Sequence, residues 1–266
     1  MNIFCCIKQV PNTTQIKIDP ETNTLIRAGV ESVCNPYDLV AVECAVQLKE
    51  KINAQITVLS MGILQAESAL RECLAIGADQ AVLLSDRAFI GSDTLATSAA
   101  LSETIKMLNK SIPELIFCGR QAIDGDTAQT GPGIATRLNC SLITNVIEII
   151  EISTQHITAK KQVKGGHEIV KSKFPALITV ELNCCEPKYP SLPLLVESIR
   201  KPVKVVTASE INADQSIFGL KGSPTSVKNI FVPPKRNGGP VFNKTDELTD
   251  YIKKSEPQLM ELICHA

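Results

Sequence analysis

The sequence predicts a doubly wound, mostly parallel α/β sheet with an antiparallel extension and a C-terminal arm. Three observations predict it. Over the first 140 residues, short apolar runs alternate with amphipathic stretches of helical period, the pattern of parallel strands joined by crossover helices. Between residues 146 and 173 the pattern shifts to three short strand-like runs separated by turn residues, as in antiparallel hairpins. From Cys184 onward, prolines at 187, 190, 193, 202, 224, 233, 234, 240 and 257 leave only brief apolar runs. Such a segment buries little by itself and gains order against another protein. The expected division is an α/β domain over residues 1–185 and an arm over 186–266.

Composition narrows the function classes. At 266 residues the chain suits one large domain or one domain with an extension, and 44% hydrophobic content is ample for a core. The 27 basic and 28 acidic residues nearly cancel, so no polyanion-binding surface is implied and nucleic acid is not an expected partner. No apolar run approaches the ~20 residues of a membrane span. Residues 1–7 lack a basic region and a cleavage site, so they read as a first strand and not as a signal; a cytoplasmic protein is expected. The ten cysteines, at 5, 6, 34, 44, 73, 118, 140, 184, 185 and 264, form no CxxC and no metal-ligand spacing. The three histidines, His156, His167 and His265, are far apart. Scattered structural thiols in a reducing compartment are therefore expected, with no metal centre and no hydrolase grouping.

Taken in order, residues 3–10 read as a buried parallel strand emerging at Lys8 and Gln9. Residues 12–33 carry turn signals and suggest a small hairpin. Asn35-Pro36-Tyr37-Asp38 then reads as a helix start, with Asn35 as N-cap, Pro36 at the first position and Asp38 in the first turn. That helix runs to about Lys51 and buries Leu39, Val42, Val46 and Leu48. Residues 56–60 form the next strand and open into Met61-Gly62. A helix over about 65–76 stops at Gly77, and residues 81–84 form a third strand. Ser92 or Asp93 caps a helix reaching about Asn109, and residues 115–118 form a fourth strand. Residues 146–152, 156–163 and 168–173 supply the antiparallel extension, and 176–182 one more apolar strand. A final helix starts at Thr245, uses Leu248, Tyr251 and Ile252, and is broken by Pro257.

The stretch around which the chain is organised follows the fourth strand: Gly119-Arg120-Gln121-Ala122-Ile123-Asp124-Gly125-Asp126-Thr127-Ala128-Gln129-Thr130-Gly131-Pro132-Gly133. A glycine-rich turn between strand and helix gathers free backbone N–H groups and the positive end of the helix dipole at one spot, an anion site. Thr127, Gln129 and Thr130 add side-chain donors. Pro132 places the helix start near Thr130 or Gly131. The stretch is neither a Walker loop nor the GxGxxG fingerprint, and an unliganded turn with Asp124 and Asp126 capping their own backbone fits the same residues. In open parallel sheets ligands bind at the carboxyl ends of strands. Gln9, Met61 and Gly119 all lie at such ends, so the sheet is expected to be a Rossmann-like nucleotide-binding one.

Five segments together resemble the small (beta) subunit of electron-transfer flavoproteins, in order and spacing over essentially the whole chain. They are residues 7–11 (Ile-Lys-Gln-Val-Pro), Asn35-Pro36-Tyr37-Asp38, Ser60-Met61-Gly62, Gly77-Ala78-Asp79 and the Gly119–Asp124 run. The resemblance implies a heterodimer with a larger alpha subunit carrying a redox-active FAD. It implies AMP in the beta subunit of simple carriers, or a second FAD in electron-bifurcating members. By motif match the nucleotide contacts fall on Cys6, Asn35 to Asp38, Met61 and the run Gly119 to Thr130, with Lys8 beside them at the first strand's exit.

The run from Asp124 to Gln129 is similar to the bifurcating type, whereas AMP-binding members more often carry an acidic residue in place of Gly125. Thr130 stands where bifurcating members often have Val. Glu186-Pro187-Lys188-Tyr189-Pro190-Ser191-Leu192-Pro193 resembles the family's recognition loop, with Leu192 as the leucine that anchors on a partner dehydrogenase. The signature between Val163 and Val180 is kept at Glu168, Pro175 and Thr179, without the acidic residues near Gly165 and Gly166. The resemblance thus implies electron exchange between NADH/NAD, ferredoxin and a flavin-dependent dehydrogenase of acyl-CoA or 2-hydroxy-acid type. No side chain of this chain is then needed as an acid, base or nucleophile, because the flavin carries the chemistry. A carrier with structural AMP and an adenine-nucleotide-binding regulatory module remain the alternative readings.

Overall fold

The computed structural model describes residues 1–12, 32–109, 111–228 and 238–255, together with the backbone of 17–18 and 25–26. Along the chain run β1 (Asn2–Ile7), β2 (Gln9–Pro11), β3 (Lys17–Ile18), β4 (Leu25–Ile26), β5 (Ser32–Cys34) and α1 (Pro36–Ile52). Next come β6 (Gln55–Met61), α2 (Glu67–Ile76), β7 (Gln80–Leu84), α3 (Thr94–Leu108), β8 (Leu115–Gly119) and α4 (Thr130–Leu138). The second half holds β9 (Ser141–Ile152), β10 (His156–Val163), β11 (Gly166–Lys173), β12 (Ala176–Val180), α5 (Leu192–Arg200), β13 (Val203–Val206) and α6 (Thr245–Ser255).

Nine strands form one sheet in the order β11-β10-β9-β12-β8-β1-β6-β7-β13. The pairs from β9 to β13 in that order are parallel, and β9–β10 and β10–β11 are antiparallel. The chain leaves β1, steps outward through β6 and β7, then returns to place β8 on the other side of β1. The crossover direction therefore reverses between β1 and β8. At such a switch point the flanking loops diverge and leave a crevice at the carboxyl ends of the strands.

Two apolar layers cover the sheet, and alternation along each strand decides which residue enters which layer. Ile3, Cys5 and Ile7 of β1 face α1 and α2 with Ile56, Val58, Phe117, Cys44 and Leu70. Phe4 and Cys6 face α3 and α4 with Leu59, Ile116, Cys118, Ile105 and Ile134. Gly77, at φ +136°, closes α2 as predicted, accepting a conformation that a side chain would resist.

Several expectations need correction. Leu39 and Val46 of α1 are only partly buried, and the helix buries Val40, Ala41, Cys44 and Ala45 instead. Leu95, an apolar residue of the predicted helix, is exposed on the first turn of α3. The strand over residues 3–10 is two: β1 ends at Ile7, and β2 pairs antiparallel with β5. The proline-rich stretch after Cys184 holds two elements that the sequence did not announce. There, α5 packs beside α2 and β13 extends the parallel sheet against β7, register Val203↔Ala81 to Val206↔Leu84. Proline sits at the second position of α5, where its missing N–H costs nothing.

The hairpin foreseen over residues 12–33 is present as the pair β3–β4, Lys17↔Ile26 and Ile18↔Leu25. Its turn signals lie outside the described residues, as do Cys264, His265 and the expected helix break at Pro257. The described chain separates into two compact units, Met1–Asn229 and Ile230–Ala266. In the second, α6 starts at Thr245 as expected, and Phe242 and Tyr251 pack with ring centroids 5.0 Å apart. Among the described residues no helix is long and apolar enough to cross a membrane.

Candidate functional site

The switch point is held together by the start of α1. Asn35 was expected to cap that helix, yet its side chain makes no cap hydrogen bond. Pro36 has no N–H to satisfy, and the amides of Asp38 and Leu39 already donate to the Asn35 carbonyl at 2.9 and 3.0 Å. The fully buried carboxamide turns to the loop after β8. Its Nδ2 donates to the Gln121 carbonyl (2.9 Å) and its Oδ1 accepts from the Ile123 amide (3.2 Å). These partly buried backbone groups need partners, and Asn35 supplies one of each kind.

Asp38 plays the same part for the strand ends. Its Oδ2 accepts from the Lys8 amide at 2.8 Å and its Oδ1 from the Gly119 amide at 2.9 Å. Burial pushes the Asp38 carboxyl up to about 7, opposed by the Lys8 and Gly119 amides, the Asn35 side chain and the Lys8 charge. Gly119 is required by this close approach. A Cβ there would lie 2.5 Å from both Asp38 Oδ1 and Tyr37 Cβ, and 2.8 Å from the Tyr37 carbonyl carbon.

The loop itself is exposed from Ile123 to Thr127. Lys8 Nζ, leaving β1, bridges to both oxygens of Asp124 at 2.7 Å. Gln121 Nε2 donates to Asp126 Oδ1 at 2.8 Å. Both loop carboxylates are therefore engaged and present less bare negative charge to an anion. Asp126 and Ala128 adopt left-handed backbone, φ +52° and +54°. For alanine that conformation is costly, and strain of this kind concentrates where backbone must be aimed at a ligand. Gly125 stands in open space, with nothing within 4 Å of a would-be Cβ.

Helix α4 begins at Thr130 with no side-chain cap, because Gln129 instead accepts at its Oε1 from the Thr94 hydroxyl at 3.0 Å. By contrast α3 is capped by Asp93, whose carboxylate takes the Leu95 and Ala96 amides. The start of α4 thus has no side chain on its first-turn amides. Lys8, Asn35, Tyr37, Asp38 and the loop from Gly119 to Asp126 are tied into one group. Cys6 lies directly beneath, paired in register with Cys118 across β1 and β8. Met61 ends β6, half-buried against the second core layer, and Pro36, Thr127 and Thr130 lie along the same carboxyl edge.

Sequence reasoning missed three contributors. Thr94 holds Gln129. Glu181 pairs with Arg120 at 3.0 Å, buried after β12. The third is the outer face of α5: Leu192, predicted as an anchor, begins that helix and is 73% exposed, followed by exposed Leu195, Val196 and Ile199. Their spacing of i, i+3, i+4 and i+7 is an amphipathic stripe, legible once residues 192–199 are read as a helix and not as proline-broken coil. A cleft lined by Asn2, Gln55, Thr57, Asp79 and Gln80 among others lies at the opposite, amino end of the strands. Its position has no connection with the loop.

An electron transfer flavoprotein domain matches residues 22–211, most of the α/β unit and its loops. The chain belongs to the electron transfer flavoprotein family. It is 45% identical over 262 residues to the electron transfer flavoprotein subunit beta of Thermoanaerobacterium thermosaccharolyticum, covering 98% of this chain and 97% of the relative. It is 45% identical to the protein FixA of Azotobacter vinelandii, over 89% of this chain and 86% of that one. It is 43% identical to subunit CarD of the caffeyl-CoA reductase-Etf complex of Acetobacterium woodii, over 92% and 93%. Within the electron transfer flavoprotein family the chain is thus of beta-subunit kind; β8 and the loop after it lie within the matched residues, and β1 precedes them.

Proposed function

We propose that this protein is the beta subunit of an electron-bifurcating electron-transfer flavoprotein and that it holds FAD in the crevice between β1 and β8. The observation that carries the reading is the loop after β8, open at Gly125, strained at Ala128 and leading into a helix start with no side-chain cap. Free amides at that start suit a pyrophosphate. An unobstructed Gly125 leaves room for a dinucleotide to lie along the backbone.

Each residue then has a task. Asn35 and Asp38 fix the loop's height above the sheet. Lys8 neutralises Asp124 and so removes a negative charge from beside the phosphates. Thr127, Gln129 and Thr130 donate to them, and Met61, Tyr37, Pro36 and Cys6 line the nucleotide's flank. Arg120, Gln121, Ala122, Ile123 and Asp126 shape the loop. A flavin held by these residues would supply hydride exchange with NADH and electron transfer towards ferredoxin and, through the alpha-subunit FAD, a dehydrogenase. Residues 1–185 hold the nucleotide, and the arm over 186–266 meets the alpha subunit and the dehydrogenase. Leu192 and the α5 stripe supply an apolar docking face, cheap to order because prolines hold it.

A relative named for a caffeyl-CoA reductase complex supports a dehydrogenase acting on CoA esters as the partner. Such an assembly would work in the cytoplasm. The test is reconstitution with the alpha subunit, ferredoxin, NADH and a partner dehydrogenase. Ferredoxin should be reduced only while the dehydrogenase's acceptor is also being reduced. Acceptor reduction with no coupled ferredoxin reduction would make this a simple carrier, with AMP in the crevice.

A further inference from the structure

Cys44 and the adjacent pair Cys184 and Cys185, 140 residues further along the chain, meet beneath the base of the segment that carries Leu192. Cys44, buried in the middle of α1, lies 3.1 Å from Cys185 Sγ and 3.6 Å from Cys184 Sγ, donating to Cys184. Cys185 in turn donates to the Val40 carbonyl at 3.5 Å. Cys184 and Cys185 are partly accessible, whereas Cys44 is 2% exposed. Among the described residues no group of His, Cys, Asp or Glu is arranged to hold a metal ion.

We propose that Cys184, Cys44 and Cys185 form a peroxide-responsive site in which Cys184 is oxidised and Cys44 closes a disulfide on it. Cys184 attacks a peroxide oxygen: an S–O bond forms, the O–O bond breaks, and hydroxide leaves to become water. The Cys44 sulfur then attacks Cys184, forming S–S and expelling the sulfenic hydroxyl, which takes the Cys44 proton as a second water. Two thiols lose two electrons and two protons, and the peroxide is reduced to water. The Cys44 hydrogen bond favours the Cys184 thiolate and lowers its pKa, while the same contacts and burial push Cys44 up. Cys184 accepts the Cys44 hydrogen bond while Cys185 spends its own proton on the Val40 carbonyl, so Cys184 is the nucleophile and the buried Cys44 the resolving partner.

The bond would tie the segment after β12 to α1. That segment already leans on α1 through the Lys188 amide, 3.4 Å from the buried Glu43 carboxylate. Its tip, Tyr189, is fully exposed. Oxidation thus restrains the loop ahead of Leu192; only the consequence for a dehydrogenase rests on the function proposed above.

The test treats the reduced full chain with hydrogen peroxide, blocks remaining thiols, and maps disulfides by mass spectrometry. The expected product links the Cys44 peptide to the Cys184–Cys185 peptide. It persists in Cys185→Ser and is lost in Cys184→Ser. Cys34 and Cys73, 3.8 Å apart but buried, provide an internal control and should remain reduced. Tryptic cleavage after Lys188 should slow severalfold on oxidation. A link that survives Cys184→Ser, a Cys184–Cys185 bond, or sulfinic acid without a cross-link would overturn the proposal. Unchanged cleavage after Lys188 would overturn its effect on the loop. None of these readouts needs a bound nucleotide, so they stand or fall apart from the FAD reading.

Discussion

Asp38 accepts the Gly119 amide at 2.9 Å, so a single carboxylate on α1 fixes where β8 ends and its loop begins. Its other oxygen takes the Lys8 amide at 2.8 Å, which ties the ends of β1 and β8 to one side chain. The crevice between these strands is therefore set by a group of the scaffold and not by the ligand.

This buried acid gives the fold a pH signature. With its pKa raised from 3.8 to about 7, Asp38 keeps in the native state a proton that the unfolded chain releases from about pH 4. Its contribution to stability is fully present below that point and is lost as pH rises to about 7, by at most about 1.4 kcal/mol per pH unit. Urea unfolding should show the wild-type advantage over Asp38→Asn shrinking between pH 4 and 7, then levelling. An advantage that grows with pH would mean that the carboxylate is held ionised by the two amides.

Gly119→Ala should damage the fold before it damages any ligand contact. The new methyl meets the Tyr37 backbone, which cannot swing aside as a flexible side chain would. A loss of about 1–3 kcal/mol is expected, the range for forcing a methyl into packed structure. Thermal unfolding reads it directly, and an unchanged midpoint would deny the close approach of α1.

Gly125→Asp should do the reverse. Nothing lies within 4 Å of a Cβ at this position, so stability should hold within about 0.5 kcal/mol. The flavin content of the purified heterodimer should fall, because a carboxylate crowds and repels a pyrophosphate. Full flavin content in the variant would remove the loop from the dinucleotide's path.

Leu192→Ala should leave folding and nucleotide content intact, since the side chain is largely exposed. Electron delivery to the dehydrogenase should drop about tenfold or more if Leu192 is an interface anchor, worth upwards of about 1.4 kcal/mol. Steady-state rates at varied dehydrogenase concentration would show the loss as weaker docking. An unaltered rate would make Leu192 an ordinary surface residue.

The parallel sheet was legible because its strands are buried on both faces and its helices carry their own caps and stops, as at Asp93 and Gly77. The loop at Gly119 was legible as chemistry for the same reason: glycines and small polar residues stood where a strand should hand over to a helix. The partners of its backbone were not. Asn35 and Asp38 read as helix-start residues because local hydrogen bonding favours that role. Only the strand order brings Gln121, Ile123 and Gly119 within their reach. Helix α5 and β13 were hidden by Pro193 and Pro202, which sit at element ends where proline is harmless. The meeting of Cys44 with Cys184 and Cys185 spans more than half the chain, and no spacing rule reports such a contact.

The most direct measurement is made on this chain purified with its alpha subunit. The pair is denatured and the released FAD and AMP are counted. Two FAD per heterodimer and no AMP is the result that follows from a dinucleotide lying over Gly125. One FAD with one AMP would contradict it and leave the crevice a structural AMP site.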